Sequence, residues 1–517
     1  MSSDWARAAL GRGGRIEGGV DAVVVGANFD GFAAAALLGK AGLKTVLLGA
    51  GGAALQEEPR EFWGGFFCSD GDPLASHLDP QLIASLDLYR HGLEYAARRL
   101  DSVYYFADGG ALLMDGDLYK SRESVVAMAE HDGDRFADFL ETALDAARAL
   151  RPFFDGGDLP ALAPPLSSAV ERFLSASITD VLDAAFDDPH LRALLTADAL
   201  LKTCARPGDA FSFAALLKRW SGEVAGLQGA VAIPAGGAIG VNRAVRRAAQ
   251  AARVDLRPAA AARRVVVEWD AAAGVETSDG GQVRAPIVIN ALSARQAFLD
   301  CVGPALLDVE FQAALVEERA RFSSAYVHFA LTDEPGDERA QANLARRLVY
   351  APSKDELADA YGAARRGEIA SPLILEAVFP SVHDKHFAPS GGRLVSLVAH
   401  PIALVEEPDA AFRAKVEKAV RETFERIAPG AGKRIAALDM RLAADAARPV
   451  GAPVSVFGGA ASILPAWSRA RALGGASGVA GYFFCGPEAQ IGAGVSGTAG
   501  RRAAEAALRF HKRKLRS

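Results

Sequence analysis

The chain has 517 residues, enough for two or three domains rather than one core, and half of them are hydrophobic, which marks a folded globular protein. Its net charge of -6 is mild for that size and argues against nucleic acid as the main partner. Cys68, Cys204, Cys301 and Cys485 stand far apart, with no CxxC or Cys/His cluster, so neither a disulfide framework nor a zinc site is indicated and a reducing compartment is the simplest inference.

The opening "MSSDWARAALGRGGRIEGG" carries arginines but no apolar segment, unlike a secretory signal. No run reaches the roughly 18 apolar residues of a membrane-spanning helix, so a cytoplasmic protein is expected. The first informative stretch is "DAVVVGANFDGFAAAALLGKAGLKTVLLGAGG", residues 21–52. Asp21 to Val25 reads as a buried strand, Gly26 and Gly31 flank a tight turn, and Phe32 to Leu38 reads as a helix. Gly42 ends that helix and Lys44 to Leu48 is a second buried strand. Strand, glycine turn, helix and strand within roughly 30 residues form the setting of a dinucleotide-binding unit. Its helix N-terminus faces a pyrophosphate and its glycines let the backbone approach.

This unit departs from the pattern in three places. Gly26-Ala27-Asn28-Phe29-Asp30-Gly31 puts Asn28 where G-x-G-x-x-G has its middle glycine. Asp30 adds a negative charge beside the same helix start, which suits the helix dipole but would repel phosphate. Gly49 stands where an Asp or Glu would hold the ribose hydroxyls. The alternative to a working site is a unit that keeps its packing and has lost its ligand.

Further along, "HLDPQLIASLDLYRHGLEY" reads as a short helix and "VYYFADGGALLMDGD" as a hairpin through Asp108-Gly109. Residues 121–227 are mostly helical by period, with a Pro-rich break at "DLPALAPPL". From Ala232 the order is glycine turn (Gly236-Gly237), helix, the strand "VDLRP", a second strand, a hairpin and a strand. Residues 300–450 alternate strands ("AYVHFALTD", "LILEAVFP", "RLVSLVAHP") with helices such as 408–428. The last block, "GYFFCGPEAQIGAGVSGTAGRRAAEAALRF", reads as strand, Gly-rich turn and helix. Nucleotide-type segments thus sit at the start, middle and end, with other material between them. A contiguous nicotinamide dehydrogenase would not be interleaved in this way.

That interleaving, together with the last block, resembles the phytoene-desaturase-like FAD oxidoreductases of the amine-oxidase superfamily. Within them the chain resembles the group named for pyridine nucleotide-disulfide oxidoreductase domain-containing protein 2. The likeness covers nearly the whole chain and is carried by "DAVVVGANFDGFAAAALLGKAGLKTVLL", "AIPAGGAIGVNRAVRRAA", "RAPIVINALSARQAFLDCVGP" and, most specifically, "YFFCGPEAQIGAGVSGTAGRRAA". It implies an α/β fold: a Rossmann-type FAD-binding domain built from discontinuous segments (20–120, 228–298 and 456–517), with an α+β substrate domain (299–455) and a helical substrate segment (121–227) inserted.

Carried over, Gly26, Ala27, Asn28 and Gly31 form the pyrophosphate turn, and Gly49 takes the ribose position without its carboxylate. Ala262 offers backbone to the adenine. Gly486, Gly492, Ala493, Gly494, Val495 and Ser496 lie near the pyrophosphate and flavin. The family's His-Pro-Gly-Gly-Gly is here Gln490-Ile491-Gly492-Ala493-Gly494, and Glu488 brings a carboxylate close. The implied function is FAD-dependent oxidation or desaturation of an apolar or amine substrate. The competing expectation is a pseudo-oxidoreductase that binds a protein partner or an apolar ligand. A third expectation is a carotenoid or lipid carrier at the membrane face. FAD is expected to bind weakly or to have been lost, and exchanging Asn28 for Gly with Gly49 for Glu is expected to restore it. A homodimer stays open, and no catalytic residue is assigned.

Several polar and aromatic residues have two readings. His328 and His400 lie on strands, as pocket groups or as satisfied buried histidines. His383 and His386 lack a third metal ligand and read as a solvated loop. Lys202 and Cys204 fall near the expected substrate cavity, where a helix end before Pro207 is the simpler account. Trp63, Phe66 and Phe67 fall at the family's flavin-proximal loop or in aromatic core. The basic tail "ALRFHKRKLRS" reads as a helix end with cations on its dipole or as a weak, peripheral contact with anionic lipid.

Overall fold

The computed structural model describes residues 16–17, 19–49, 58–69, 71–317, 322–335, 338–446, 478–489 and 496–516. The strand β1 (Ala22–Val25) is four buried residues, as a central parallel strand must be. It leads through the Gly26 turn into α1 (Phe29–Lys40), an Ala-rich helix buried on most of its surface, and then into β2 (Thr45–Gly49). The hairpin β3 (Ser102–Tyr105) and β4 (Ala111–Met114) pairs antiparallel as its turn residues predict. The helical segment follows, with α2 (Gly133–Phe154), α3 (Pro189–Leu200) and α4 (Phe213–Ser221).

The middle block opens with α5 (Gly237–Ala251). The sequence predicts two strands after it. They are one 14-residue strand, β5 (Asp255–Glu268), which runs parallel to β2 at its start and antiparallel to β6 (Ala271–Thr277) for the rest. The change of partner falls at a register slip between Arg257 and Ala261. Pro258 lies inside that slip, where a residue without an N–H costs no ladder bond. The strands β7 (Gln282–Arg284) and β8 (Ile287–Asn290) complete the block.

The inserted domain contributes β9 (Phe322–Leu331), β10 (Arg347–Tyr350), α6 (Lys354–Arg365), β11 (Ile374–Val378), β12 (Arg393–Ala403), α7 (Ala410–Ile427) and β13 (Ile435–Arg441). The chain ends with β14 (Tyr482–Phe484) and α8 (Thr498–Lys514).

Two sheets organise these elements. The first has the order Ile16–Glu17, β7, β6, β5, β2, β1, β8, β14, so strands from the start, middle and end of the chain share one sheet. Its centre is parallel: Val24 aligns with Leu47 on one side and Ile289 on the other, and Ile289 aligns in turn with Phe483. One face packs on α1, α5 and α8. The other carries Val23, Val25, Val288, Phe298 and Tyr482. The second sheet has the order β13, β9, β12, β11, β10, β3, β4. The helical segment covers one face through residues such as Leu200 and Trp220, and α7 covers the other through Val416 and Phe424.

Where helical segment, second sheet and first block meet, five charges cluster, with Asp198, Arg347 and Glu376 buried and Asp72 and Lys202 half-buried. Arg347 of β10 contacts Asp198 of α3 at 2.7 Å and Glu376 of β11 at 2.6 Å. Glu376 also holds Lys202 at 2.7 Å, and Lys202 reaches Asp72, in the loop after the first block, at 2.8 Å. The Tyr104 hydroxyl accepts a third bond from Arg347 at 3.0 Å. Burial pushes the Glu376 pKa up, but Lys202 and Arg347 outweigh it and pull it down to about 2. Burial likewise opposes the charge on Lys202, and Asp72 and Glu376 more than restore it.

Removing one member of such a cluster strands an opposite charge without its partner. Arg347→Leu is expected to lower unfolding stability by about 3–5 kcal/mol, while Arg90→Leu, which removes an exposed pair, costs less than about 1 kcal/mol. Urea denaturation of the two variants distinguishes these outcomes.

Candidate functional site

The turn at the carboxyl end of β1 lies where the sheet order reverses, between β1 and β8, the place where open α/β sheets bind ligands. Its glycines are required by contact. A Cβ on Gly31 would stand 1.9 Å from the Gly26 carbonyl oxygen, and one on Gly26, at φ +109°, would crowd the Ala291 Cβ at the exit of β8 at 3.1 Å. On the far side of that exit a Cβ on Gly486 would stand 1.9 Å from the Leu292 carbonyl oxygen. The exit of β8 is therefore clasped between the N-terminal and C-terminal nucleotide segments. Ala27 is half-buried beside the turn.

Asn28 is exposed at the start of α1. Its side chain folds back as the N-cap of α1: Oδ1 accepts the Gly31 N–H at 2.9 Å, and Nδ2 donates to the Ala291 carbonyl at 2.7 Å. It thus ties the turn across the crevice and takes one amide that an anion would otherwise use. Asp30 also turns inward. Its Oδ1 accepts the Gly500 N–H at 2.9 Å, in the first turn of α8. Burial raises its pKa to about 6, partly countered by that amide and reinforced by Asp79. The expected repulsion of phosphate by Asp30 is replaced by a clamp between two helix starts, drawn so close that a Cβ on Gly500 would meet the Asp30 carbonyl at 2.3 Å. Glu488 is engaged too, accepting the Ala294 N–H at 3.1 Å.

Gly49 has a physical reason that the motif does not reveal. A Cβ there would stand 1.8 Å from the Pro258 carbonyl oxygen, at the slip in β5. A side chain placed there, as in the expected repair Gly49→Glu, would meet backbone rather than open space. Ala262, four residues on, pairs with Thr277 and is half-buried.

Ser496 is buried: its carbonyl accepts the Asp79 N–H at 2.9 Å and its Oγ accepts the Thr498 N–H at 3.1 Å. Asp79 in turn caps Gln81 and Leu82 and pairs with Arg501 at 2.7 Å, a linkage the motifs gave no sign of. Gly492, Ala493, Gly494 and Val495, with Gln490 and Ile491, lie outside the described residues.

The remaining candidates divide clearly. His328 is buried with Nδ1 on Ser396 Oγ at 2.9 Å, and His400 is buried between Ser324 Oγ and Tyr361 Oη, each at 3.1 Å. His386 is exposed beside Asp384, and among the described residues no cluster of three ligands suits a metal. Lys202 follows the end of α3, as expected, at φ +66°, yet its ammonium belongs to the charge cluster. Cys204 is a buried thiol pushed up to about 12 by burial, and the other three cysteines are buried as well, none of the four in a disulfide. Phe66 packs in the core against Ala330, Phe387 and Leu394 with Phe67 at its edge, while Trp63 is exposed.

Two outcomes follow from these contacts. Gly49→Ala, and more so Gly49→Glu, should destabilise the fold by at least about 2 kcal/mol because the first sheet must part to admit the side chain. Gly208→Ala, with open space around it, should be neutral in the same urea titration. Burial lowers the pKa of His77, His328 and His400 to about 4, 4 and 3, with Lys218 adding to the effect at His77. These rings are neutral when folded and take up protons on unfolding, so their contribution is complete above pH 6.5 and is lost as pH falls from there toward 3. Each costs up to about 1.4 kcal/mol per pH unit in that window, and Asp30, raised rather than lowered, offsets part of the loss below pH 6. Thermal midpoints at pH 7.5, 6 and 5 should fall in that order, and His328→Gln should flatten the slope.

No protein-family model matches the chain. Pyridine nucleotide-disulfide oxidoreductase domain-containing protein 2 of Mus musculus is 26% identical over 569 residues, covering 98% of this chain and 96% of the mouse protein. Among solved structures, putrescine oxidase with putrescine bound superposes with a TM-score of 0.63 at 16% identity, covering 96% of this chain and 100% of the other. Cyclohexylamine oxidase from Brevibacterium oxydans gives 0.60 at 16% identity with the same coverage. Along its full length the chain is similar to pyridine nucleotide-disulfide oxidoreductase domain-containing protein 2, and its fold is that of the amine-oxidase structures.

Proposed function

We propose that the chain is a FAD-dependent oxidoreductase that oxidises or desaturates an apolar or amine substrate by hydride transfer to flavin. The observation that carries this reading is the Gly26–Gly31 turn at the point where the strand order reverses. Its glycines keep side chains out of the turn, and a helix starts from it, which is the setting in which such folds hold a pyrophosphate. Flavin, when bound, supplies the two-electron chemistry; the chain supplies binding and orientation. The start of α1 would hold the pyrophosphate, the β5 backbone near Ala262 would face the adenine, and Gly486 and Ser496 would border the flavin side.

The fit is incomplete at the ribose. Hydrogen bonds to a charged group are worth roughly 1.5–3 kcal/mol each, so one or two lost at Gly49 weaken binding ~10- to 10⁴-fold. The closure of that position by Pro258 favours a second reading, a pseudo-oxidoreductase that binds a protein partner or an apolar ligand. Among the described residues no helix is long and apolar enough to cross a membrane. His511 to Lys514 form a basic last turn on α8, where cations suit the helix dipole and at most support salt-sensitive contact with an anionic surface.

Titrating the purified chain with FAD, followed by flavin fluorescence, tests the proposal. Saturable micromolar binding with a yellow protein is expected. Asn28→Gly should tighten it by freeing the Gly31 amide, at a capping cost of only a few tenths of a kcal/mol. A colourless protein that takes up no FAD in either form would overturn the oxidoreductase and leave the second reading.

A further inference from the structure

A cavity of about 850 Å³ opens between α3, α6 and the turn joining β3 to β4. It lies away from the nucleotide turn. On β10 and the residue after it the alternation of a strand places Arg347, Val349 and Ala351 on the face toward the helices, where Arg347 belongs to the charge cluster and Ala351 lines the cavity. Four residues of strand separate them by about 13 Å. On α3, Asp198 belongs to the cluster and His190 lines the cavity, eight residues or about 12 Å apart. The cluster's other end is Asp72, beside the nucleotide block. The buried charges therefore stand between the cavity and that block.

The floor is apolar: Phe106, Leu182, Ala193, Ala351, Leu357 and the ring of Tyr361. The Tyr361 hydroxyl is already bonded to His400, so the floor gains no donor from it. The rim is charged, and its carboxylates are taken. Asp183 is held by Arg192 at 2.8 Å and Lys354 at 3.4 Å, Asp209 by Arg206 at 2.6 Å, and Asp108 by His190 at 2.9 Å. Arg365, exposed on the last turn of α6, has no carboxylate within ion-pair distance among the described residues. The rim thus offers one cation in excess above an apolar floor.

We propose that this cavity is a binding site, separate from the nucleotide turn, for a single-chain amphiphile whose anionic head pairs with Arg365 and whose apolar chain lies along Phe106, Leu182 and Leu357. An apolar pocket of this size with a few polar groups at its mouth suits a ligand that is mostly hydrocarbon, and the excess cation selects the sign of its head. A carboxylate head and a phosphate head share this chemistry and identify a free fatty acid or a lysophospholipid as the source.

Calorimetric titration of the full chain with dodecanoate, dodecyl phosphate and dodecanol tests the site. Dodecanoate or dodecyl phosphate should bind once per chain, the tighter of the two naming the source, and dodecanol should bind more weakly. Ala358→Trp, on the exposed side of α6, should put an indole into part of the cavity and weaken binding of all three probes while leaving the FAD titration unchanged. Arg365→Glu should weaken the anionic probes about tenfold and leave dodecanol unaffected. If Ala358→Trp does not fold, Arg365→Glu alone decides. No saturable binding, equal binding of dodecanol and dodecanoate, or indifference of the anionic probes to Arg365→Glu would overturn the proposal.

Discussion

The architecture turns on the charge cluster of Asp72, Asp198, Lys202, Arg347 and Glu376, buried at its centre and half-buried at the Asp72 and Lys202 end. Each member comes from a different stretch of chain: the loop after the first nucleotide segment, α3, the residue pair beyond it, β10 and β11. Hydrophobic contact is tolerant of small displacements, whereas a guanidinium shared between two carboxylates is not. Taking these charges out of water is costly, and their mutual attraction does little more than offset that cost. The consequence is specificity of docking: helical segment, second sheet and first block meet in one register or leave charges bare. Arg347, ion-paired with Asp198 and hydrogen-bonded to Glu376 and Tyr104, is the member with the least freedom.

The same logic orders the nucleotide block. Two helix starts, those of α1 and α8, are held together by the Asp30 carboxyl on the Gly500 amide, and the exit of β8 lies between Gly26 and Gly486. Every one of these contacts joins segments hundreds of residues apart. The sheet closes only when the last block arrives beside β8, so folding of the nucleotide region is coupled to completion of the inserted domain. Long loop closure of this kind is slow because its entropy must be spent before the contacts form.

Much of this order is legible in the amino acids. Buried β-branched runs, a glycine turn and an Ala-rich helix announce β1, α1 and β2, and the three separated glycine blocks announce one interrupted sheet. What stays hidden is the direction of polar side chains. Asn28 and Asp30 sit in the motif as if aimed at a ligand, but their partners, Ala291 and Gly500, are 263 and 470 positions away. Lys202 reads as a helix terminus because its partners Asp72 and Glu376 lie 130 and 174 positions off. Local pattern reports backbone, whereas these roles are set by what the tertiary fold brings within about 3 Å.

Gly49 shows how a departure from a motif is absorbed by the structure around it. A lost carboxylate leaves space, and in an isolated unit that space would fill with water. Here the slip at Pro258 carries the β5 carbonyl into it, so the substitution at 49 and the irregularity in β5 form one feature. Neither can be reversed alone: a side chain restored at 49 meets backbone, and a regular β5 would leave Gly49 facing a void at the edge of the strand. Any side chain at 49 therefore requires a change at residues 257–261 as well, because the two positions occupy one space.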